Sequence, residues 1–299
     1  RTIAYKDFWM SSGFRMKIGI CGISGLVGSK LQEMFISKHN DVIGIKVRQN
    51  TNIQDIAKEI NKCDILINLS GASILARWSK TYKDILYNSR VDTTKKLVDA
   101  IALCEQKPKL FISASAVGIY DSEAKHDDYS TEYANDYLSH ICKDWEAEAR
   151  RAQEYGVRSV QTRFGVIYAK EGGAMQKMLP PFKMGVGGKL GEGHQIISWI
   201  HIDDLVRAFE FIIKTPELRG PINFTTKHTI SNIEQTRIMG EVLHRPTFFG
   251  VPEFAVKLLF GEGASVMLDS KDVYPRKLLE SGFEFRFDRF EDALRDIIR

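Results

Sequence analysis

The stretch GICGISGLVGSKL, residues 19–31, places three glycines three residues apart between an apolar run and a helical pattern. Glycine inside regular structure costs roughly 0.5–1 kcal/mol relative to alanine, so the spacing answers a steric demand. As GxxGxxG at a strand-to-helix turn, Gly22 permits the tight turn, Gly25 admits a pyrophosphate against bare backbone, and Gly28 lets the helix pack close on the sheet. The first-turn amides and the positive helix end then face the anion. Ser24, Leu26 and Val27 lie in the same turn and complete the candidate phosphate-contacting set. A turn of this kind constrains its surroundings to a βαβ unit.

The rest of the first half agrees. Apolar runs at 17–21, 41–47, 64–69, 109–115 and 157–164 alternate with helical patterns. Their near-continuous hydrophobicity suits parallel strands covered on both faces. Between the first two, Val27, Leu31, Met34 and Phe35 form one apolar helix face. The pattern predicts an α/β fold with a Rossmann-type doubly wound parallel sheet over residues 16–170. Beyond it the texture changes. Of the eight prolines only Pro108 comes earlier, and residues 172–193 carry seven glycines, which predicts a long mobile loop over a site. Residues 171–299 are expected to form a smaller C-terminal α/β substrate region, with about 195–225 returning to the first domain. There Asp203 or Asp204 is expected to cap a helix whose Leu205, Phe209 and Ile212 face inward, and Ser231 with Glu234 forms a capping box.

Composition removes several function classes. The 299 residues carry 42 Lys+Arg against 38 Asp+Glu, a net charge of +4, too small and scattered to indicate nucleic acid. Cys21, Cys63, Cys104 and Cys142 lie far apart with no CxxC pair, so neither a metal site nor a disulfide framework is suggested. No run of about 18 apolar residues exists to span a membrane. Residues 1–15 lack the apolar core of a signal peptide and read as an extension ahead of Met16. The expectation is a cytoplasmic protein, acting on a small molecule, with a homodimer as one possible assembly.

The end of the second strand selects the nucleotide. An NAD site places Asp or Glu there for the ribose 2′-hydroxyl, whereas this strand ends Lys46-Val47-Arg48-Gln49. Arg48 favours a 2′-phosphate and hence NADP; the alternative is a solvated residue opening a loop. Leu69, Ser70, Gly71 and Ala72 end the third strand with mostly small residues, leaving room for an adenine or ribose, or forming an ordinary glycine turn. Arg90 falls on the inward stripe of Leu86, Thr94, Leu97 and Ile101. A buried guanidinium needs an anion, which a cofactor phosphate or a structural carboxylate would equally supply.

Beyond these residues the chain resembles the short-chain dehydrogenase/reductase superfamily, in its atypical extended, nucleotide-sugar-epimerase-like branch. Three strings carry the resemblance: SASAVGIY (113–120), KMLPPFKMGVGGKLGEGHQIISWIHIDDL (177–205) and HRPTFFGVPEFAVKLLFGEGASVML (244–268). The resemblance implies an NADP domain with a small C-terminal substrate domain. Extended members use a Ser or Thr, a Tyr and a Lys four residues on. Ser115 matches the hydroxyl position and Tyr137 the tyrosine, but position 141 is Ile. A residue four on sits about 40° round the helix from Tyr137, whereas Lys143 points about 120° away. Phenolate formation then needs a field from Arg163, His140 or the nicotinamide ring. Val166, just past the fifth strand, joins the cofactor-contacting set. His201 in SWIHIDDL reads as a structural histidine at a domain junction, and Asp203 as a helix cap.

Two function classes follow. One is an NADP-binding epimerase-like oxidoreductase acting on a small carbonyl or hydroxyl substrate, such as a nucleotide sugar, with Ser115 and Tyr137 near the nicotinamide. The other is a non-catalytic NADP(H) sensor or scaffold, which Ile141 favours.

Overall fold

The computed structural model describes residues 15–299, so the expected N-terminal extension lies outside the described residues except for Arg15. Six strands form the central sheet: β1 (Lys17–Cys21), β2 (Asp41–Ile45), β3 (Ile65–Asn68), β4 (Leu110–Ala116), β5 (Arg158–Phe164) and β6 (Gly220–Phe224). Their spatial order is β2-β1-β3-β4-β5-β6 and every neighbouring pair is parallel. The doubly wound sheet is therefore present, with a single strand outside β1 rather than two. Strand β6 is not among the sequence-predicted strands. It opens on Gly220-Pro221, and Pro cannot donate to a ladder, but β6 is an edge strand and pairs only with β5.

The helices are α1 (Leu26–Ser37), α2 (Ile53–Ile60), α3 (Lys80–Tyr87), α4 (Thr93–Leu103) and α5 (Tyr137–Arg150) in the first half. In the second half the longer ones, of eight residues or more, are α6 (Gly173–Lys183), α7 (Ile202–Lys214), α8 (Asn232–Leu243), α9 (Glu253–Phe260) and α10 (Phe290–Ile298). Strand alternation decides which helices cover which face. Ile65 and Ile67 of β3 join Leu31 and Phe35 of α1 and Leu205 and Phe209 of α7 on one side. Leu66 points the other way, into Ile56 and Ile60 of α2 and Leu97 and Ile101 of α4. Each such fully buried side chain contributes roughly 1.5–3 kcal/mol.

Side-chain caps begin several helices. Asn52 Oδ1 accepts from Gln54 N before α2, Ser79 Oγ from Tyr82 N before α3, and Asp136 Oδ1 from Ser139 N before α5. Ser231 Oγ accepts from Glu234 N at 3.3 Å, the expected half of a capping box, while the Glu234 carboxylate turns to Arg237. The cap of α7 differs from expectation. It is His201, whose Nδ1 accepts from Asp203 N at 3.2 Å. Asp204 is fully buried instead and receives the backbone amides of Arg286 and Phe287 and the guanidinium of Arg207.

The expected mobile loop at 172–193 is also corrected. Half of it is α6, which contains both Pro180 and Pro181. The prolines fall in its last turn, and Met175, Leu179 and Phe182 pack with Tyr168, Trp199, Met239 and Phe290. That burial outweighs the two lost backbone bonds. The same cluster joins α6, α8 and α10 into a second core beside the sheet.

Candidate functional site

Strands β1 and β3 are neighbours, but α1 leaves β1 toward one face while the chain after β3 leads to helices on the other. The crevice at their carboxyl ends is the switch point at which doubly wound sheets bind ligands. Both loops that flank it are glycine-dependent. Gly22 has φ +85°, and a Cβ there would lie 3.0 Å from the Leu69 backbone, so the two loops touch. A Cβ on Gly28 would collide with the Gly22 carbonyl oxygen and come within 2.8 Å of Ile23 Cα. Gly25 is exposed, and its only close neighbour is the Gly22 oxygen, 3.3 Å from a notional Cβ. It is the N-cap of α1 and supplies no side-chain cap, and the first turn holds no acidic residue. The first amides of this 12-residue helix therefore lack side-chain acceptors and face the crevice with the positive helix end.

The remaining candidates for a nucleotide surround this turn. Leu69 N donates to Cys21 O and the Ser70 hydroxyl meets the Cys21 thiol, both at 2.8 Å, which fixes the loop after β3. Arg48 is exposed beyond β2; its amide is held by Thr51 Oγ1 and its carbonyl by Lys96, leaving the guanidinium to solvent. The stretch carrying Arg90 is one continuous helical pattern in sequence, but Asn88–Asp92 is a π-helical turn between α3 and α4. Arg90 packs flat under Gly71 and over the Trp145 ring, and donates to the carbonyls of Ala72 at 2.8 Å and Leu86 at 3.2 Å. No carboxylate pairs with it among the described residues, so the structural ion pair is not formed. Burial pulls its pKa below the usual guanidinium value. A Cβ at position 71 would stand 3.0 Å from that guanidinium, so any residue larger than glycine makes Arg90 give way by a few tenths of an ångström. Helix α6 crosses above: Gly172 and Gly173 lie against Leu26, and Lys177 reaches the Leu75 carbonyl. Val166 sits just past β5, its amide bonded to Ser198 O.

Ser115 and Tyr137 reach the same end of the sheet with their protons already committed. Ser115 is 2% exposed and donates to Glu146 Oε1 at 2.7 Å. Glu146 is in turn chelated by Arg163 through Nε at 2.7 Å and Nη2 at 2.8 Å. Arg163 also donates to the hydroxyls of Tyr120 at 2.7 Å and Tyr133 at 3.2 Å. Burial pushes the Tyr120 phenol up to about 12 despite that neighbour. Tyr137 donates to the Lys83 carbonyl at 2.8 Å. Its pKa is raised, by burial first and then by Asp84 and Glu262. The protein side chains sought for that field are engaged elsewhere: Arg163 serves other phenols, His140 faces Asp144, Lys143 bonds the Ala134 carbonyl and Ile141 is buried among Trp78, Leu86 and Trp145. The Lys83 ammonium lies 4.9 Å from the Tyr137 ring centroid, but it is paired with Glu262.

Glu146 is the residue the sequence reading missed. Its one signal is a carboxylate within the buried stripe of Cys142, Trp145 and Ala149 on α5. His201, Asp203 and Asp296 also meet, with potential ligand atoms within 4.8 Å of one another. Because Nδ1 accepts the Asp203 amide, the neutral ring carries its proton on Nε2, toward Asp296 at 3.4 Å, and offers a metal no lone pair there. Beside this end of the molecule, a cavity of roughly 700 Å³ is lined by Glu192, His194, Glu253, Lys257, Glu262 and Asp269, among others.

Comparison with known proteins agrees with this arrangement. Residues 18–224 match the model of the NAD dependent epimerase/dehydratase family, and residues 251–297 match a domain of unknown function, DUF1731. The chain is 36% identical over 295 residues to an epimerase family protein of Staphylococcus haemolyticus, covering 93% of this chain and 98% of that protein. It is 35% identical over 305 residues to the chloroplastic epimerase family protein SDR39U1 homolog of Arabidopsis thaliana, covering 95% and 87%. The crystal structure of human epimerase family protein SDR39U1 with NADPH superposes with a TM-score of 0.86 at 30% identity, over 94% of this chain and 99% of that one. Glycine turn, switch-point crevice and near full-length likeness converge, and the chain belongs to the NAD dependent epimerase/dehydratase family.

Proposed function

We propose that this chain is an NADP(H)-dependent oxidoreductase that reduces a small carbonyl compound. The observation that carries the reading is the open amino end of α1 behind Gly22, Gly25 and Gly28, at the switch point of the sheet. Those amides would hold a diphosphate, Arg48 a 2′-phosphate, and the loop 69–72 with Arg90 the nucleoside side of the same ligand. The human relative crystallised with NADPH supports this choice. A bound nicotinamide supplies or accepts a hydride at a substrate carbon.

The chain's own residues favour one direction. Tyr137 Oη stays protonated at neutral pH, its pKa raised by burial and nearby carboxylates, so once its proton leaves the Lys83 carbonyl the group is an acid and too weak a base to take a proton. That suits protonation of a substrate oxygen. Epimerisation begins instead by removing a proton from a hydroxyl, which requires the phenolate. Ser115 acts through Glu146 and Arg163 as a positioning residue, holding the end of β4 against α5. The cavity lining carries Glu192, Glu253, Glu262 and Asp269 against Lys257 and His194, which supports an uncharged or cationic substrate over one bearing a diphosphate.

A second reading, a non-catalytic NADP(H) binder, is favoured by Ile141, buried in an apolar cluster where the resemblance calls for lysine. NADPH consumption across a panel of aldehydes and ketones separates the two. Turnover that drops at least roughly tenfold in Tyr137→Phe, with NADPH affinity unchanged, supports the reductase. Tight NADPH binding without turnover supports the binder. No NADPH binding at all removes both.

A further inference from the structure

The segment leading into α3 is bound to the C-terminal region along one seam. Arg77 Nη1 donates to Leu258 O at 2.5 Å, and Trp78 N to Phe260 O at 3.3 Å. A Cβ on Gly263 would lie 2.7 Å from Ala76 O and 2.9 Å from the Trp78 ring, so the turn Gly261–Ala264 presses directly on residues 76–78. The Trp78 ring in turn meets the Tyr137 ring edge-on, with centroids 6.1 Å apart. Glu262 stands on that turn. Its carboxylate pairs with the Lys83 ammonium, which lies 4.9 Å from the Tyr137 ring centroid, and Glu262 also lines the cavity of roughly 700 Å³. One ion pair therefore stands between the cavity and the phenol.

We propose that Lys83 and Glu262 are positioning residues for the proton of Tyr137, the Glu262 carboxylate countering the Lys83 ammonium so that the phenol keeps its proton until a substrate arrives from the cavity. Lys83 holds Tyr137 through two groups, its backbone carbonyl accepting the phenol proton at 2.8 Å while its ammonium stands over the ring. It comes from α3, so the cation reaches the ring from outside α5, whose position 141 is Ile. An ammonium beside a phenol favours the phenolate, and a carboxylate favours the neutral form. With the pair closed the two fields oppose each other, and burial, Asp84 and Glu262 leave the Tyr137 pKa raised. The charged groups of α5 itself are committed elsewhere: Asp136 Oδ1 accepts from Ser139 N, and His140 faces Asp144. The chemical role rests on the reductase reading, whereas the coupling is a property of three side chains alone.

Fluorine NMR titration of the full chain labelled with 3-fluorotyrosine tests it, because that phenol ionises below lysine and the ammonium stays charged throughout. The Tyr137 signal is identified by its loss in Tyr137→Phe. Lys83 and Glu262 both reach solvent, at 24% and 64% exposure, so their variants should fold with unchanged circular dichroism. A unit charge about 6 Å away in largely aqueous surroundings changes an ionisation constant about threefold. Glu262→Gln should therefore raise that of the Tyr137 phenol about threefold, and Lys83→Met should lower it about as much. Lys83→Arg should match the wild type, and Lys83→Met/Glu262→Gln should return close to it. In NADPH consumption, the alkaline fall of kcat should move to lower pH in Glu262→Gln and to higher pH in Lys83→Met, as expected of an acid. A phenol that titrates alike in the wild type and both single variants, or moves the same way in both, overturns the assignment. A chain that binds NADPH and reduces nothing defeats the reductase reading instead, and the titration still decides whether the pair governs the phenol.

Discussion

On the proposed reading Arg48 would carry the choice of nucleotide, because its backbone is pinned by Thr51 and Lys96 while no described residue holds its guanidinium. A charge-assisted bond to a phosphate contributes roughly 1.5–3 kcal/mol. Arg48→Ala is therefore expected to weaken NADPH by about tenfold or more while leaving NADH unchanged, as read by titration calorimetry; an unaltered NADPH preference would remove this role. The glycines divide by a different measure. Gly28→Ala drives a methyl group into the Gly22 carbonyl and Ile23 Cα, so the folded state should lose about 1–3 kcal/mol. Gly25→Ala meets only the Gly22 oxygen at 3.3 Å and has φ −74°, which suits any residue, so it should keep most of its stability and lose cofactor affinity. Thermal melts with and without NADPH distinguish these outcomes.

Between elements, the decisive contact is the Glu146–Arg163 pair, 2% and 1% exposed, which fastens α5 to β5 and takes the Ser115 proton. Removing one partner strands a buried charge, so Glu146→Ala or Arg163→Met should each cost about 3–5 kcal/mol, and the double variant less than the sum of the two. Urea unfolding of the three variants gives the coupling directly. At the start of α7 the same kind of constraint becomes pH-dependent. Burial holds His201 below the ordinary imidazole value, against the pull of Asp203 and Asp296. Below about pH 6.5 the unfolded chain takes up a proton that the folded one refuses, so this contribution to stability is complete above that pH and is lost as pH falls. His201→Asn keeps a capping side chain and should flatten that part of the profile, whereas His201→Ala should cost about 1 kcal/mol at pH 7.5 through the lost cap. Neither residue set was fully legible in sequence. Glu146 and Arg163 are 17 residues apart on a helix and a strand, and only the sheet register of Ser115 opposite Arg163 brings them together. His201 was outranked as a cap by two aspartates that follow it, since the residue at which strand becomes helix decides the cap, not its type alone.

For the molecule as a whole, a ligand that binds the folded chain only must raise its melting temperature. At a hundred times its dissociation constant, NADPH should add about 2.7 kcal/mol, or about 4 °C for a chain of 299 residues. NADH at the same concentration should add less, and an equal shift would count against the reading of Arg48. The first five strands of the sheet followed from alternating apolar runs, since strands buried on both faces advertise themselves as such. The second region did not. Pro180-Pro181 and the glycines around them signal a loop locally, and α6 exists because Met175, Leu179 and Phe182 find Trp199 and Phe290, residues no window of the sequence contains together.

The sequence by itself determined the strand-turn-helix unit at Gly22–Gly28, the parallel character of the sheet and the basic residue after β2, because each rests on local sterics, local hydrophobicity or a single side chain. Only the tertiary structure decided that β6 closes the sheet, that Arg90 beneath Gly71 bonds to the carbonyls of Ala72 and Leu86, and that the protons of Ser115 and Tyr137 belong to Glu146 and Lys83. Those outcomes depend on which distant groups share a small volume, and burial there fixes both the partner of a polar atom and its readiness to move a proton.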